Sequence, residues 1–325
     1  MAERVTRAEA LAFRRRATAL DHRLPRRELT RPAEAGLQDS APRSAVLALQ
    51  ARVEDVAADD WRDARLVQLW GPRGAVWVVR REDVAVFTHG RLPRDDARRA
   101  AIARAARRVR ELLADGPRSK NDLLRLPGAP SMSRLLEASM GGGMRLVWDG
   151  RDTIVHASPP LARDLKAARL ELARRYLRTL GPSDAGGFAR WAGIEPADAR
   201  ATLAGLADEL APVEVEGTPA LLLAGDLPAL READEPAAVR LLPPGDPYLN
   251  ASDRALVAPD EAVRDAVFPP NAVWPGAILA GGELVGTWRR RGPRVQPTVL
   301  RALPRGGAAA LQDEVDGIAS LLGGA

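Results

Sequence analysis

Leu11, Ala17 and Leu20 mark one apolar stripe along VTRAEALAFRRRATAL, and Thr6-x-x-Glu9 has the spacing of a capping box. The chain is therefore expected to open on a helix. Pro25, Pro32 and Gly36 break the pattern, and a second helix is expected from about Ala41 to Val53. RLVQLWGPRGAVWVVRREDVAVFT reads as a helix end, a Gly-Pro turn and a strand at Ala75–Val79, and this region closes near Pro93.

A pattern that starts at Asp95 then recurs. Ile102, Ala106, Val109 and Leu113 have helical spacing and stop at Gly116-Pro117. SKNDLLRL follows with Ser119 as its cap, then the short helix SMSRLLEAS, then two alternating segments about Asp149-Gly150-Arg151-Asp152, a hairpin signal. LARDLKAARLELARRYLRTLGP begins the same series again. SDAGGFARWAGI has Ser183 as its expected cap, EPADARATLAGLADEL starts with a well-placed Pro196, and two strands turn at Gly217. Three helices and a two-stranded wing make a winged variant of the helix-turn-helix. From about Arg240 short strands punctuated by Gly and Pro take over. Gly281-Gly282 is expected to join Ala277–Ala280 to Leu284–Arg290, and a last helix runs from about Ala308 to Leu322. The fold class expected is α+β, divided as 1–94, 95–160, 161–235 and 236–325.

Composition narrows the chemistry. Cysteine is absent and only His22, His89 and His156 occur, far apart, so neither a protein-bound metal nor another cofactor is expected. No run reaches the roughly 18 apolar residues of a membrane span, and the charged N-terminus lacks a signal peptide's apolar stretch. A cytoplasmic protein, nucleoid-associated when bound to DNA and monomeric, is the expectation. The formal charge is +5, and Lys120 and Lys166 are the only lysines, so arginine carries nearly all the positive charge. Its distribution predicts a track for duplex phosphates. Arg134 and Arg200 lie on the third helices and Arg145 and Arg151 on the first wing. Arg16, Arg43, Arg107, Arg108, Arg110 and Arg289, Arg290 and Arg291 extend the track. Neither third helix is rich in residues that read base edges, so backbone or shape recognition is expected over sequence-specific repression. The nucleotide-binding glycine loops and the GxSxG nucleophile motif are missing. MGGGM at Met140–Met144 precedes a wing and is expected to loosen a turn. Trp70, Trp77, Trp148, Trp191, Trp274 and Trp288 are expected to anchor the core or the joins between domains.

GLQDSAPRSAVLAL, LVQLWGPRGAVWVV, LGPSDAGGFARWAGI, DPYLNASDRALV and ELVGTWRRR follow one another over nearly the whole chain. In that order they resemble the winged-helix DNA-binding family that contains the AlkZ and YcaQ DNA glycosylases. The resemblance implies tandem winged-helix modules assembled around a C-terminal β-barrel-like domain. It also implies hydrolysis of the N-glycosidic bond of bulky or crosslinked alkylpurines in duplex DNA. The family carries Gln-apolar-Gln or Gln-apolar-Asp where this chain has Gln38, Asp39 and Ser40, so the first glutamine matches and the next two positions depart.

A purine alkylated at N7 or N3 is already cationic and leaves readily. What is needed is stabilisation of an oxocarbenium-like sugar and a placed water. Gln38 is the candidate for orienting that water, Asp39 for charge or water activation, and Ser40 for positioning. A helix start explains Asp39, Ser40 and Pro42 without catalysis, but not Gln38, since glutamine is a poor cap. A glycosylase that also nicks DNA needs an amine, and both lysines sit in unremarkable helices, so a monofunctional enzyme is expected. The alternatives are a non-catalytic winged-helix DNA-binding protein and, third, a winged-helix scaffold that binds another protein.

Overall fold

A computed structural model describes the 325-residue chain except for residues 1, 42, 149–150, 160, 162–163, 233–237, 271–273, 293 and 324–325. The chain opens with β1 (Glu3–Val5) and α1 (Arg7–Ala17), whose capping box is complete: Thr6 accepts from the Glu9 amide and Glu9 accepts from the Thr6 amide. The strand β2 (Leu37–Gln38), the helix α2 (Ser44–Gln50), the strands β3 (Leu66–Trp70) and β4 (Val76–Arg80) and the helix α3 (Val84–Phe87) follow. Leu66–Trp70, expected as a helix end, is a strand instead. Every residue of β3 is buried, so it offers no alternation by which a sequence reader would recognise a strand.

The first recurring unit contains α4 (Asp96–Leu112), β5 (Arg118–Ser119), α5 (Lys120–Arg125), α6 (Met132–Ser139), β6 (Met144–Trp148) and β7 (Thr153–Ala157). Asp95, Ser119 and Ser131 each accept a backbone N–H at a helix start. Residues 149–150 of the expected hairpin turn lie outside the described residues. The unit's strands join those of the N-terminal region in one six-stranded sheet, ordered β2-β4-β3-β6-β7-β5, with Gln68 opposite Leu146 at the seam.

The second unit repeats the order with α7 (Leu165–Leu180), α8 (Ala185–Ala192), α9 (Pro196–Ala204), β8 (Leu210–Val215) and β9 (Thr218–Leu223). Asp184, not Ser183, caps α8, accepting from the Gly187 amide at 2.6 Å. β1 adds to this hairpin in parallel beside β8, so the chain's start is tied to the second unit. After α10 (Leu227–Leu230) come β10 (Arg240–Leu242), α11 (Arg254–Val257), α12 (Glu261–Val267), β11 (Gly276–Ala280), β12 (Glu283–Arg291), β13 (Arg294–Val299) and α13 (Gly307–Gly323). Here the structure departs from the barrel-like expectation. The four strands form an antiparallel meander in chain order, with β10 and β13 as its edges, and among the described residues the sheet does not close. Closure needs the outer strands to pair, and α13 instead packs its apolar face on this sheet. No helix among the described residues is long and apolar enough to cross a membrane.

One apolar core runs through these segments. Trp77 on β4 is fully buried and lies 6.1 Å, ring centre to ring centre, from both Phe87 and Trp191. Tyr176, Leu242, Tyr248 and Leu279 belong to the same cluster, which therefore joins the N-terminal region, the second unit and the C-terminal sheet. Gly36 sits against this centre with φ +70°, and a Cβ there would lie 2.7 Å from the Phe87 ring and 2.8 Å from Trp77. That constraint fixes where Leu37 and Gln38 enter the sheet beside Val78 and Trp77.

Candidate active site around the Gln38–Ser40 segment

Gln38, Asp39 and Ser40 point to three different surroundings. Asp39 continues the line of β2, its amide donating to the Val76 carbonyl at 2.7 Å, and its side chain is fully buried. Oδ1 accepts from the Ala45 amide at 3.0 Å and Oδ2 accepts from Gln68 Nε2 at 2.8 Å. The carboxylate thus caps α2 from six residues upstream. Arg43, in the left-handed region at φ 67°, is the residue before the helix, and Pro42 lies outside the described residues. Gln68 is held in turn, its Oε1 accepting from the Trp148 amide at 2.7 Å. Burial pushes the Asp39 carboxyl up from 3.8 to about 6, against the pull of its Ala45 and Gln68 hydrogen bonds and of the Arg43 charge. A group so enclosed exerts its charge through space and does not reach solvent.

Gln38 is half-exposed and Ser40 exposed. Arg73 Nη2 donates to Gln38 Oε1 at 3.0 Å, and Gln38 Nε2 donates to Ser40 Oγ at 3.1 Å. Because a guanidinium only donates, the arginine fixes which end of the carboxamide is oxygen. Ser40 accepts from Gln38, and its own O–H has no acceptor among the described residues. The same Arg73 nitrogen donates to Asn250 Oδ1 at 2.8 Å, and Asn250 Nδ2 donates to the Gly245 carbonyl at 2.9 Å. Gly245 has φ +76°, and a Cβ there would stand 2.9 Å from Gln38 Cδ. The turn is anchored by Asp246, which binds Arg52 through 2.7 and 2.8 Å hydrogen bonds with both side chains buried. The segment DPYLN therefore braces Gln38 from the far end of the chain.

Gln68, Arg73, Gly245 and Asn250 escaped the reading of the sequence. Gln68 is one polar letter inside the apolar run LVQLW, and that is the signal available for it: a polar side chain in a buried strand needs a partner. Arg73 and Asn250 lie in the quoted segments GPRG and DPYLN, but their meeting depends on tertiary folding across 177 residues of separation.

The arginines divide into groups. The Arg43 guanidinium carbon lies 4.4 Å from the Trp61 ring centre, with that of Arg62 at 4.7 Å from the same ring. Arg145 lines a groove of about 240 Å³ with Trp61, Arg62 and Gln68, and its Nη2 is 3.3 Å from His156 Nδ1. Burial and then the Arg145 charge hold that imidazole below its ordinary pKa, so it accepts. Arg289, Arg290 and Arg291, all exposed on β12, line a groove of about 390 Å³ whose opposite wall is Ala41, Ser44 and Leu47 of the motif's own segment. Arg145 and Arg289–Arg291 thus line grooves that also hold Gln68 or the segment that follows Ser40.

The remaining arginines lie elsewhere. Arg107 and Arg110 line a separate groove with His89 and Leu161. Arg108 donates to the carbonyls of Pro127 and Gly128, and exposed Arg134 pairs with Glu137 at 2.8 Å. Arg200 is exposed on α9, and Arg151 follows the undescribed turn. Arg16, half-buried, donates to the Ala229 carbonyl and faces Glu232, which ties α1 to the segment near α10.

Comparison with known proteins adds to this geometry. No curated protein matches the chain in sequence. Among solved structures, the Streptomyces sahachiroi DNA glycosylase AlkZ is similar with a TM-score of 0.80 over 98% of this chain and 97% of that one. The two are 18% identical, so that likeness is one of fold. Residues 33–321 match the family described as DNA glycosylase AlkZ-like. By that match, which spans most of its length, the chain belongs to the AlkZ-like family of DNA glycosylases.

Proposed function

We propose that this glycosylase hydrolyses the N-glycosidic bond of bulky or crosslinked alkylpurines in duplex DNA, without a metal and without cleaving the backbone. The observation that carries the reading is the Gln38 carboxamide, half-exposed and locked between Arg73 and Ser40. Gln38 Oε1 and the Ser40 hydroxyl hold a water against the anomeric carbon. The C1′–N9 bond breaks as its electron pair neutralises the cationic purine, the water oxygen bonds to C1′, and the proton it loses passes to bulk water. Asp39, buried and out of reach of the water, contributes its negative charge through space, favouring the oxocarbenium-like sugar. The units 95–160 and 161–235 are read as winged helices, and the duplex is gripped by Arg43, Arg145 and Arg289–Arg291 through its phosphates. The protein works as a monomer in the cytoplasm, on the nucleoid when bound.

Lys120 and Lys166 lie on α5 and α7, not on the element that carries Gln38, which supports a hydrolytic route with no Schiff base. Incubation with duplex containing N7-alkylguanine, followed by alkali, is expected to reveal strand breaks at the lesion. Borohydride is expected to trap no covalent protein–DNA adduct. A trapped adduct overturns the monofunctional route, and salt-sensitive duplex binding without any alkali-labile site identifies a non-catalytic DNA-binding protein.

A further inference from the structure

The groove between α2 and β12 has a feature that phosphate binding leaves unexplained. Ser44 is 1% exposed, lines this groove, and its Oγ has no hydrogen-bond partner among the described residues. A buried hydroxyl left unpaired is unfavourable, so a group that enters the groove and bonds to it is favoured. Leu47, Pro244, Pro275 and Trp288 supply apolar walls around that one polar point, and Arg289–Arg291 form a cationic side. The indole of Trp288 already donates to the Leu242 carbonyl at 2.8 Å, so it presents carbon surface. At about 390 Å³ the groove is of the size that holds a small organic group.

Its position relates it to the reacting bond. Pro244 forms a wall of the groove, and its neighbour Gly245 presses on Gln38, so one turn separates the two. Ala41 and Ser44 belong to the same chain segment as Gln38–Ser40.

We propose that this groove is the subsite for the substituent carried by the alkylated purine. The substituent it fits is flat and largely apolar, with one acceptor atom placed to receive the Ser44 hydroxyl proton. The proposal rests on the glycosylase reading and gives the bulky substituent a place: a lone methyl leaves the groove empty, whereas a bicyclic aromatic group fills it. The backbone phosphates meet Arg289–Arg291 at its edge.

The test uses duplexes carrying either N7-methylguanine or N7-(quinolinylmethyl)guanine, with kcat/KM measured for both. The full-length protein is expected to favour the quinolinyl lesion at least tenfold. Ala41→Trp, at a half-buried wall position, is expected to lower that ratio about tenfold, and Ser44→Ala about fivefold. Fluorescence anisotropy of the quinolinyl duplex on the same variants follows the subsite through binding alone. A ratio and an affinity unchanged in both variants overturn the subsite while excision of N7-methylguanine stands. Failure of the unsubstituted protein to excise either lesion overturns the glycosylase reading itself, and the subsite with it.

Discussion

Asp39 and Gln38 are adjacent in sequence and opposite in circumstance. One is sealed under α2 and the other is braced at the surface. That the pair stands just before a helix was legible in the sequence, and a glutamine there has no capping use. Their division of labour was not, because it is made by Gln68 and Arg73, which arrive from other strands and turns. Asp39 binds its proton more tightly in the folded chain, at about 6, than at the ordinary 3.8. Between these values the folded state holds more protons than the unfolded one. Its contribution therefore favours folding at low pH and is lost as pH rises from about 4 to about 6, by about 3 kcal/mol at ~1.4 kcal/mol per tenfold. Urea denaturation of the unsubstituted protein is expected to lose ground against Asp39→Asn over that window, since asparagine does not titrate. A pH-independent difference contradicts the assignment. Excision has the opposite dependence, rising as the carboxylate ionises near pH 6, and that rise is expected to vanish in Asp39→Asn.

At the level of elements, the helices and hairpins with strong punctuation were legible. The Thr6 capping box, the Ser119 cap, the Pro196 start and the Gly217 and Gly281-Gly282 turns all fall where spacing put them. The fully buried β3 was not, since a strand enclosed on both faces loses the period that distinguishes it from a helix end. The 243–250 turn matters most among these elements. It has no regular period of its own, yet it presses on Gln38 through Gly245 and holds Arg73 through Asn250. Gly245→Ala is expected to cost about 1–3 kcal/mol in thermal or chemical unfolding, from the positive φ and the meeting of Cβ with Gln38. Single-turnover excision is expected to fall at least tenfold in this variant while duplex affinity stays within a factor of two. An excision rate equal to that of the unsubstituted protein shows that the turn does not position Gln38.

Across the whole molecule, the expected succession of helical units and a terminal β region is present, but the pieces are joined more closely than spacing implied. β1 pairs with β8, one sheet spans the N-terminal region and the first unit, and a common core links three regions. Such joins come from pairings remote in sequence, which local periodicity does not encode. The cationic surface follows the same pattern. Arg289–Arg291 are near one end of the chain, yet they face the segment that follows Gln38. Replacing all three with alanine is expected to flatten the plot of log binding constant against log salt by about 2.7, at ~0.9 for each phosphate that is no longer neutralised. An unchanged slope removes them from the phosphate track. The most direct test of the central claim is single-turnover excision of an N7-alkylguanine duplex by the unsubstituted protein and by Gln38→Ala, with duplex affinity measured in parallel. The alanine variant is expected to bind within about twofold and to excise at least 100-fold more slowly, as loss of a water-orienting group implies. Equal excision rates would contradict that claim.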